Sequence, residues 1–103
     1  MASRIDDYLE KVRKNPNDQL ARFVLAKDYF AADRHAEAAE HFRECIRLRP
    51  DWMQCHIHLG KSLIALGKPA DARPVLEQAL ALAFAQHHRG PAAEIGEMLA
   101  ALD

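Results

Sequence analysis

The chain has 103 residues, enough for one small domain with a modest core. Half of them are hydrophobic and 28% are charged, a balance that excludes a disordered chain. The formal net charge of −1 lacks the basic excess of a nucleic-acid binder, and no apolar run reaches the length of a membrane span.

The opening stretch, MASRIDDYLEK, has no apolar signal-peptide core, so a cytoplasmic protein is expected. Ser3 is suited to cap a first helix that carries Ile5, Tyr8, Leu9 and Val12 on one face. Asn15 and Pro16 end it. Leu20, residues 23–26, Tyr29 and Phe30 then repeat with helical spacing, and AADRH breaks the pattern. A third helix holds Ala38, Ala39, Phe42, Cys45, Ile46 and Leu48 and stops at Pro50. A fourth holds Cys55, Ile57, Leu59, Leu63 and Leu66. Gly67, Lys68 and Pro69 make a turn, with glycine fitted to a helix end and proline to a helix start. Val75, Leu76, Ala79, Leu80 and Leu82 mark the fifth helix. After the link AQHHRGP, a sixth helix is predicted over residues 91–102. No stretch alternates with period two, so no strand is predicted.

These six patterns belong to repeats of one unit that holds two helices. Pro16 and Pro50 are 34 residues apart, and so are Tyr8, Phe42 and Leu76 in succession. Val12, Ile46 and Leu80 keep the same step, as do the pairs Leu25 and Leu59, Ala26 and Gly60, Lys27 and Lys61, and Ala38 and Ala72. Ile95, Gly96 and Leu99 follow Leu59, Gly60 and Leu63 with a step of 36, as if two residues were inserted. Proline lacks the amide that a helix interior needs, so it ends one unit and turns the chain into the next. Ala26, Gly60, Ala38 and Ala72 are small where two helices approach closely.

Arg22 to Tyr29, RFVLAKDY, followed by Ala38, Phe42 and Pro50, resembles the tetratricopeptide repeat (TPR), whose signature is W-x-x-L-G-x-x-Y, A-x-x-x-F and P. His56 to Leu63, HIHLGKSL, with Ala72 and Leu76, is the second copy. The sequence departs from that signature in places. Arg22 and His56 replace the tryptophan, Ala26 replaces the glycine, Leu63 replaces the tyrosine, and Phe84 stands where a third proline belongs. The resemblance, to a small bacterial-type TPR protein, covers nearly the whole chain. It implies an all-α fold: a right-handed α-solenoid of antiparallel hairpins with about six helices. The expected division is an N-terminal half repeat (1–16), two repeats (17–50 and 51–84) and a capping helix (85–103) within one domain.

In proteins similar to this family, the first helices of successive repeats line a concave groove that binds a peptide or a partner's helix. Helical spacing puts Leu20, Phe23, Lys27 and Phe30 on the groove side of one such helix. Gln54, Ile57, Lys61 and Ile64 occupy the same places on the next, with His58 at the border. The expected activity is therefore non-catalytic binding of a protein or peptide partner. Apolar side chains would rest on Phe23, Phe30, Ile57 and Ile64, and Lys27 and Lys61 would meet a side-chain or chain-terminal carboxylate. Some family members bind acidic chaperone tails through a clamp of lysines, asparagines and an arginine. Phe23, Lys27 and His58 match three of those positions poorly, and that ligand is not expected. The alternative is a structural unit that forms a homodimer through its end helices, using Ile95, Met98, Leu99 and Leu102.

Catalytic chemistry finds no foothold in the sequence. There is no glycine-rich phosphate loop and no nucleophile elbow, and the acidic residues are not arranged as an acid–base pair. His41 and Cys45 share a helix face, His56 and His58 diverge, and His87 and His88 lie in a link, so no metal site and no cofactor is predicted. Cys45 and Cys55 read as buried free thiols of a reducing compartment rather than a disulfide.

Overall fold

The computed structural model describes residues 3–102, and every regular element among them is an α-helix. In chain order they are α1 (Arg4–Lys14), α2 (Gln19–Ala31), α3 (His35–Leu48), α4 (Met53–Ala65), α5 (Pro69–Ala85) and α6 (Arg89–Ala101). Each packs mainly on its neighbours in sequence, and α2 also touches α4. The result is a helical solenoid, elongated to 42 × 27 × 20 Å.

Local chemistry explains where the helices begin. At α1 the Ser3 hydroxyl accepts the Asp6 amide at 3.1 Å, and the Asp6 carboxylate accepts the Ser3 amide at 3.3 Å. This is a reciprocal capping box. At α2 the Asp18 carboxylate accepts the Ala21 amide at 3.0 Å. Pro69 opens α5, where its missing N–H is no loss. Helix α6 starts at Arg89, two residues before the position predicted from Pro91. The first turn of a helix has no internal use for its amides, so it accommodates Pro91.

Two kinds of link alternate along the first part of the array. The turns inside the hairpins α2–α3 and α4–α5 each place one residue in the left-handed region, Asp33 at φ 60° and Gly67 at φ 72°. There the Arg34 amide reaches back to the Tyr29 carbonyl, and the Lys68 amide to that of Leu63, both at 2.9 Å. These are Schellman turns. The links after α1 and α3 instead carry Pro16 and Pro50. A hydrogen bond closes over each of them. Arg22 donates to the Pro16 carbonyl at 3.0 Å, and the His56 ring donates to the Pro50 carbonyl at 2.8 Å. Arg22 and His56 are the two residues that replace the family's tryptophan, so the substitutes share one job.

The link after α5 breaks this alternation. With Phe84 in place of proline, α5 continues to Ala85. The chain then turns through His87 at φ 60°, with the His88 amide on the Ala83 carbonyl at 2.8 Å. The third junction is thus a Schellman turn rather than a proline turn, and this accounts for the two extra residues.

The core runs along the seam between first and second helices. Leu25, Ala26, Tyr29, Leu59 and Leu63 are buried from one side and Ala38, Phe42, Ala72, Leu76 and Ala79 from the other. Gly60 sits at a close approach of α4 and α5: a β-carbon there would lie 2.7 Å from Leu76 Cγ. Cys45 and Cys55 are free and fully buried. The Cys45 thiol donates to the Gln19 carbonyl at 3.8 Å. A hydrogen bond to Cys45 and burial both push the Cys55 thiol up, so it stays protonated.

Candidate functional site

Helices α2, α4 and α6 are the first helices of successive units and carry the predicted groove residues. The structure divides those residues into three groups. Phe23, Lys27 and His58 meet at the centre. The Phe23 ring lies 4.5 Å from Trp52, 5.8 Å from Phe42 and 5.6 Å from His58, centroid to centroid. The His58 ring stacks on Phe42 at 5.4 Å, with 14° between planes. The Lys27 ammonium sits 5.6 Å from the Phe23 centroid, a cation–π distance.

Phe30, Lys61 and Ile64 form a second group with residues of α6. Together with Glu94, Met98, Ala101 and Leu102 they line an open, largely apolar recess of about 430 Å³. Its one charged wall is an ion pair, Lys61 Nζ to Glu94 Oε1 at 2.9 Å. Phe30 also leans edge-on against His35 at 4.7 Å.

Leu20 and Gln54 form no part of that recess. Each lies in the first turn of its helix, at the link end of the array. Leu20 borders a small cleft with Tyr8, Lys11 and Val24 at the α1–α2 seam. Gln54 lines a polar cleft with Arg49, Trp52, Gln86 and His88. The ten-residue step from Leu20 to Phe30 spans about 15 Å of helix, so one stripe cannot serve a single pocket.

Two predicted surface residues are not at the surface. Ile57 is only 2% exposed and belongs to the core. It is the register equivalent of Phe23, but α4 lies between α2 and α6 in the array, and the position left half-open on α2 is closed on α4. Ile95 is completely buried and offers nothing to a second copy, whereas Met98, Leu99 and Leu102 pack on the core with partial exposure.

Two residues of this surface were not singled out from the sequence. Trp52 precedes α4, so helical periodicity does not assign it a face. Glu94 was legible: the 36-residue step that matches Ile95 to Leu59 also matches Glu94 to His58.

The electrostatics of the centre favour a neutral ring between two cations. Burial, then repulsion from Lys61 and Lys27, pushes His58 down from the ordinary imidazole value of 6.5 to about 4, with Glu94 pulling the other way. The depressed value has a sign. The unfolded chain binds a proton at His58 between pH 6.5 and 4, and the folded chain does not. The contribution to stability is therefore complete above pH 6.5 and is lost as pH falls toward 4. Allowing for partial solvent screening, the loss is about 1–2 kcal/mol. In urea titrations at pH 7 and pH 4.5, His58→Gln is expected to shrink the acid loss of stability by this amount. An unchanged loss would show that His58 carries none of it.

His41 and His56 are each hydrogen-bonded through a ring nitrogen. His41 Nδ1 lies 3.2 Å from the Arg22 guanidinium, which can only donate, so Nδ1 accepts. Among the described residues no group of three or more histidine, cysteine or acidic side chains is placed to hold a metal, and no helix is long and apolar enough to cross a membrane.

Comparison with known proteins matches this geometry to a family. Residues 7–79 match the model of a repeat family described as anaphase-promoting complex, cyclosome, subunit 3. A TPR repeat-containing protein of Pseudomonas aeruginosa is 35% identical over 96 residues, which is 92% of this chain and 91% of the relative. Among solved structures, a protein from Bordetella parapertussis superposes with TM-score 0.84 at 25% identity, over 99% of this chain and 89% of the other. The TPR2B domain of yeast Sti1, in complex with pHsp70, reaches 0.86 at 19% identity, over 95% and 78%. The first TPR of Spaghetti, bound to the HSP90 peptide SRMEEVD, reaches 0.77 at 22% identity, over 93% and 77%. The 34-residue period, the helical hairpins and these likenesses agree: the chain belongs to the tetratricopeptide-repeat family.

Proposed function

We propose that the chain is a non-catalytic protein–protein interaction module that holds a peptide or helix of a partner protein along its concave face. The observation that carries this reading is the open recess of Phe30, Ile64, Met98 and Leu102 beside Lys61. Ile64 is 37% exposed there although it lies on the central first helix. An apolar recess with one charged wall suits an apolar side chain next to a polar group. TPR domains are protein-interaction modules, and the similar domain of Sti1 is seen in complex with pHsp70 and that of Spaghetti with an HSP90 peptide. In this chain the ligand's apolar groups rest on Phe23, Phe30 and Ile64, and Lys27 and Lys61 supply charge recognition. Ile57, being buried, takes no part.

The test is a pull-down from native lysate with wild type and the double variant Lys27→Glu, Lys61→Glu, both checked by circular dichroism. A partner held by wild type should bind the double variant roughly tenfold more weakly, and more weakly to wild type in high salt. Equal retention by both baits would rule out the lysines. A second reading, a structural unit that self-associates through its ends, draws on Phe84, which is 66% exposed, and on exposed Leu20. A concentration-dependent, salt-insensitive dimer with no retained partner would favour it.

A further inference from the structure

Lys27 and Lys61 are repeat equivalents, and so are the positions of His58 and Glu94, each on the first helix of the unit after its lysine. The two copies of this arrangement differ in one respect. Lys61 on α4 is met by the Glu94 carboxylate from α6 at 2.9 Å. Lys27 on α2 has the uncharged His58 at the matching place on α4, and among the described residues its ammonium has the Phe23 ring as neighbour and no ion pair. One copy of the motif is thus filled by a carboxylate from within the chain, and the other lacks one. The surface between them carries two cations and one anion.

We propose that Glu94 is an internal stand-in for an acidic side chain of the partner: it occupies Lys61 in the free protein, and a partner's glutamate or aspartate displaces it and binds across Lys61 and Lys27. This rests on the groove reading given above and adds the ligand's chemistry and a built-in competitor to it. The partner's segment carries an aliphatic side chain beside the acid, because the Phe30–Ile64–Met98–Leu102 recess adjoins the same lysine.

The pair is suited to exchange. The Lys61 and Glu94 side chains are 35% and 51% exposed, and an ion pair so open to water is worth little on its own. Releasing Glu94 into solvent therefore costs little, while the incoming carboxylate gains a second lysine. A ligand without charge gains nothing from Lys61 and leaves Glu94 in place. Glu94 thus acts as a filter: it weakens every acidic ligand somewhat, and it excludes none that also engages Lys27.

The probe is a capped peptide of leucine and glutamate, with a leucine–glutamine counterpart; capping removes the terminal carboxylate as a source of binding. Affinities are measured by fluorescence anisotropy for wild type, Glu94→Gln, Glu97→Gln and Lys27→Gln. Glu97 lies on the same helix and gives the same change in net charge. Glu94→Gln should tighten the glutamate peptide about two- to fivefold, Glu97→Gln should change it less than twofold, and Lys27→Gln should weaken it. In wild type the carboxyl carbon resonance of Glu94 should move on adding the glutamate peptide and stay with the glutamine one. Equal gains from both glutamate variants would reduce the effect to net charge and overturn the proposal. Equal binding of the two peptides would also overturn it while leaving the groove reading intact. If neither peptide binds, the acidic ligand is wrong, and the groove reading then stands or falls on the pull-down alone.

Discussion

Replacing Phe42 with alanine is expected to cost about 3–5 kcal/mol, the range for emptying a fully buried aromatic site. Phe42 is completely buried and is the repeat-defining aromatic of α3. It touches the Phe23 ring by its edge and the His58 ring by its face. The cavity would therefore open beneath both Phe23 and His58, and loss of stability and loss of that surface would arrive together. Domains of this size hold only about 5–15 kcal/mol in reserve, so the variant should unfold at a much lower urea concentration with an unchanged slope. Phe84→Ala is the counterpart. That ring is mostly in solvent, and its removal should change stability by about 0.5 kcal/mol or less. A small loss at Phe42 would mean that α3 and α4 collapse readily into the space, and that the second helices are less rigid than the packing indicates.

Gly60→Leu tests close packing in the opposite direction. The first atom of the new side chain would already overlap Leu76, whose own side chain is fully buried and has no room to swing away. Helices α4 and α5 must part, at a cost of about 1–3 kcal/mol. Gly96 is the same position in the next unit, yet a β-carbon there meets nothing within 4 Å. Gly96→Ala should therefore stabilise the chain by about 0.5–1 kcal/mol, the helix-propensity gain with no steric penalty. Thermal melts of the two variants would show opposite shifts in midpoint. Matching shifts would contradict the view that the Gly60 position is set by contact with Leu76.

The fold was legible because its strongest signals are local and recur. Pro16 and Pro50 mark two unit boundaries, Gly67 and Pro69 mark a hairpin, and Ser3 marks a helix start; each acts through its own backbone. The buried face of each helix also followed from spacing, since Leu25, Ala26, Leu59, Gly60 and Leu63 all lie in the seam. The groove was less legible because exposure depends on what stands beside a helix, and periodicity describes one helix at a time. Phe23 and Ile57 share a register position, but one is half-open and the other closed. Leu20 shares a stripe with Phe30 but lies at the other end of its helix. The partners of the lysines needed three helices at once: Lys61 is on α4, its carboxylate comes from α6, and Phe30 reaches the same recess from α2. The third junction was misplaced by two residues because a histidine in the left-handed region leaves a weaker mark than a proline.

The junction between α5 and α6 has a consequence for the motion of the array. In a solenoid each helix is held by its neighbours alone, so the end helix frays without disturbing the rest. The two proline junctions each carry a side-chain clasp over the proline carbonyl, from Arg22 and from His56, whereas the α5–α6 link is a backbone turn whose Gln86 side chain reaches back to the Asp51 carbonyl. Helix α6 is anchored by one fully buried side chain, Ile95, and by the partly buried Ala92, Met98, Leu99 and Leu102. Met98 and Leu102 of that same helix form one wall of the recess. A ligand resting there binds only the docked form of α6, so occupancy and fraying are linked: each complex formed subtracts from the frayed population, and a looser α6 lowers apparent affinity with no change in any contact.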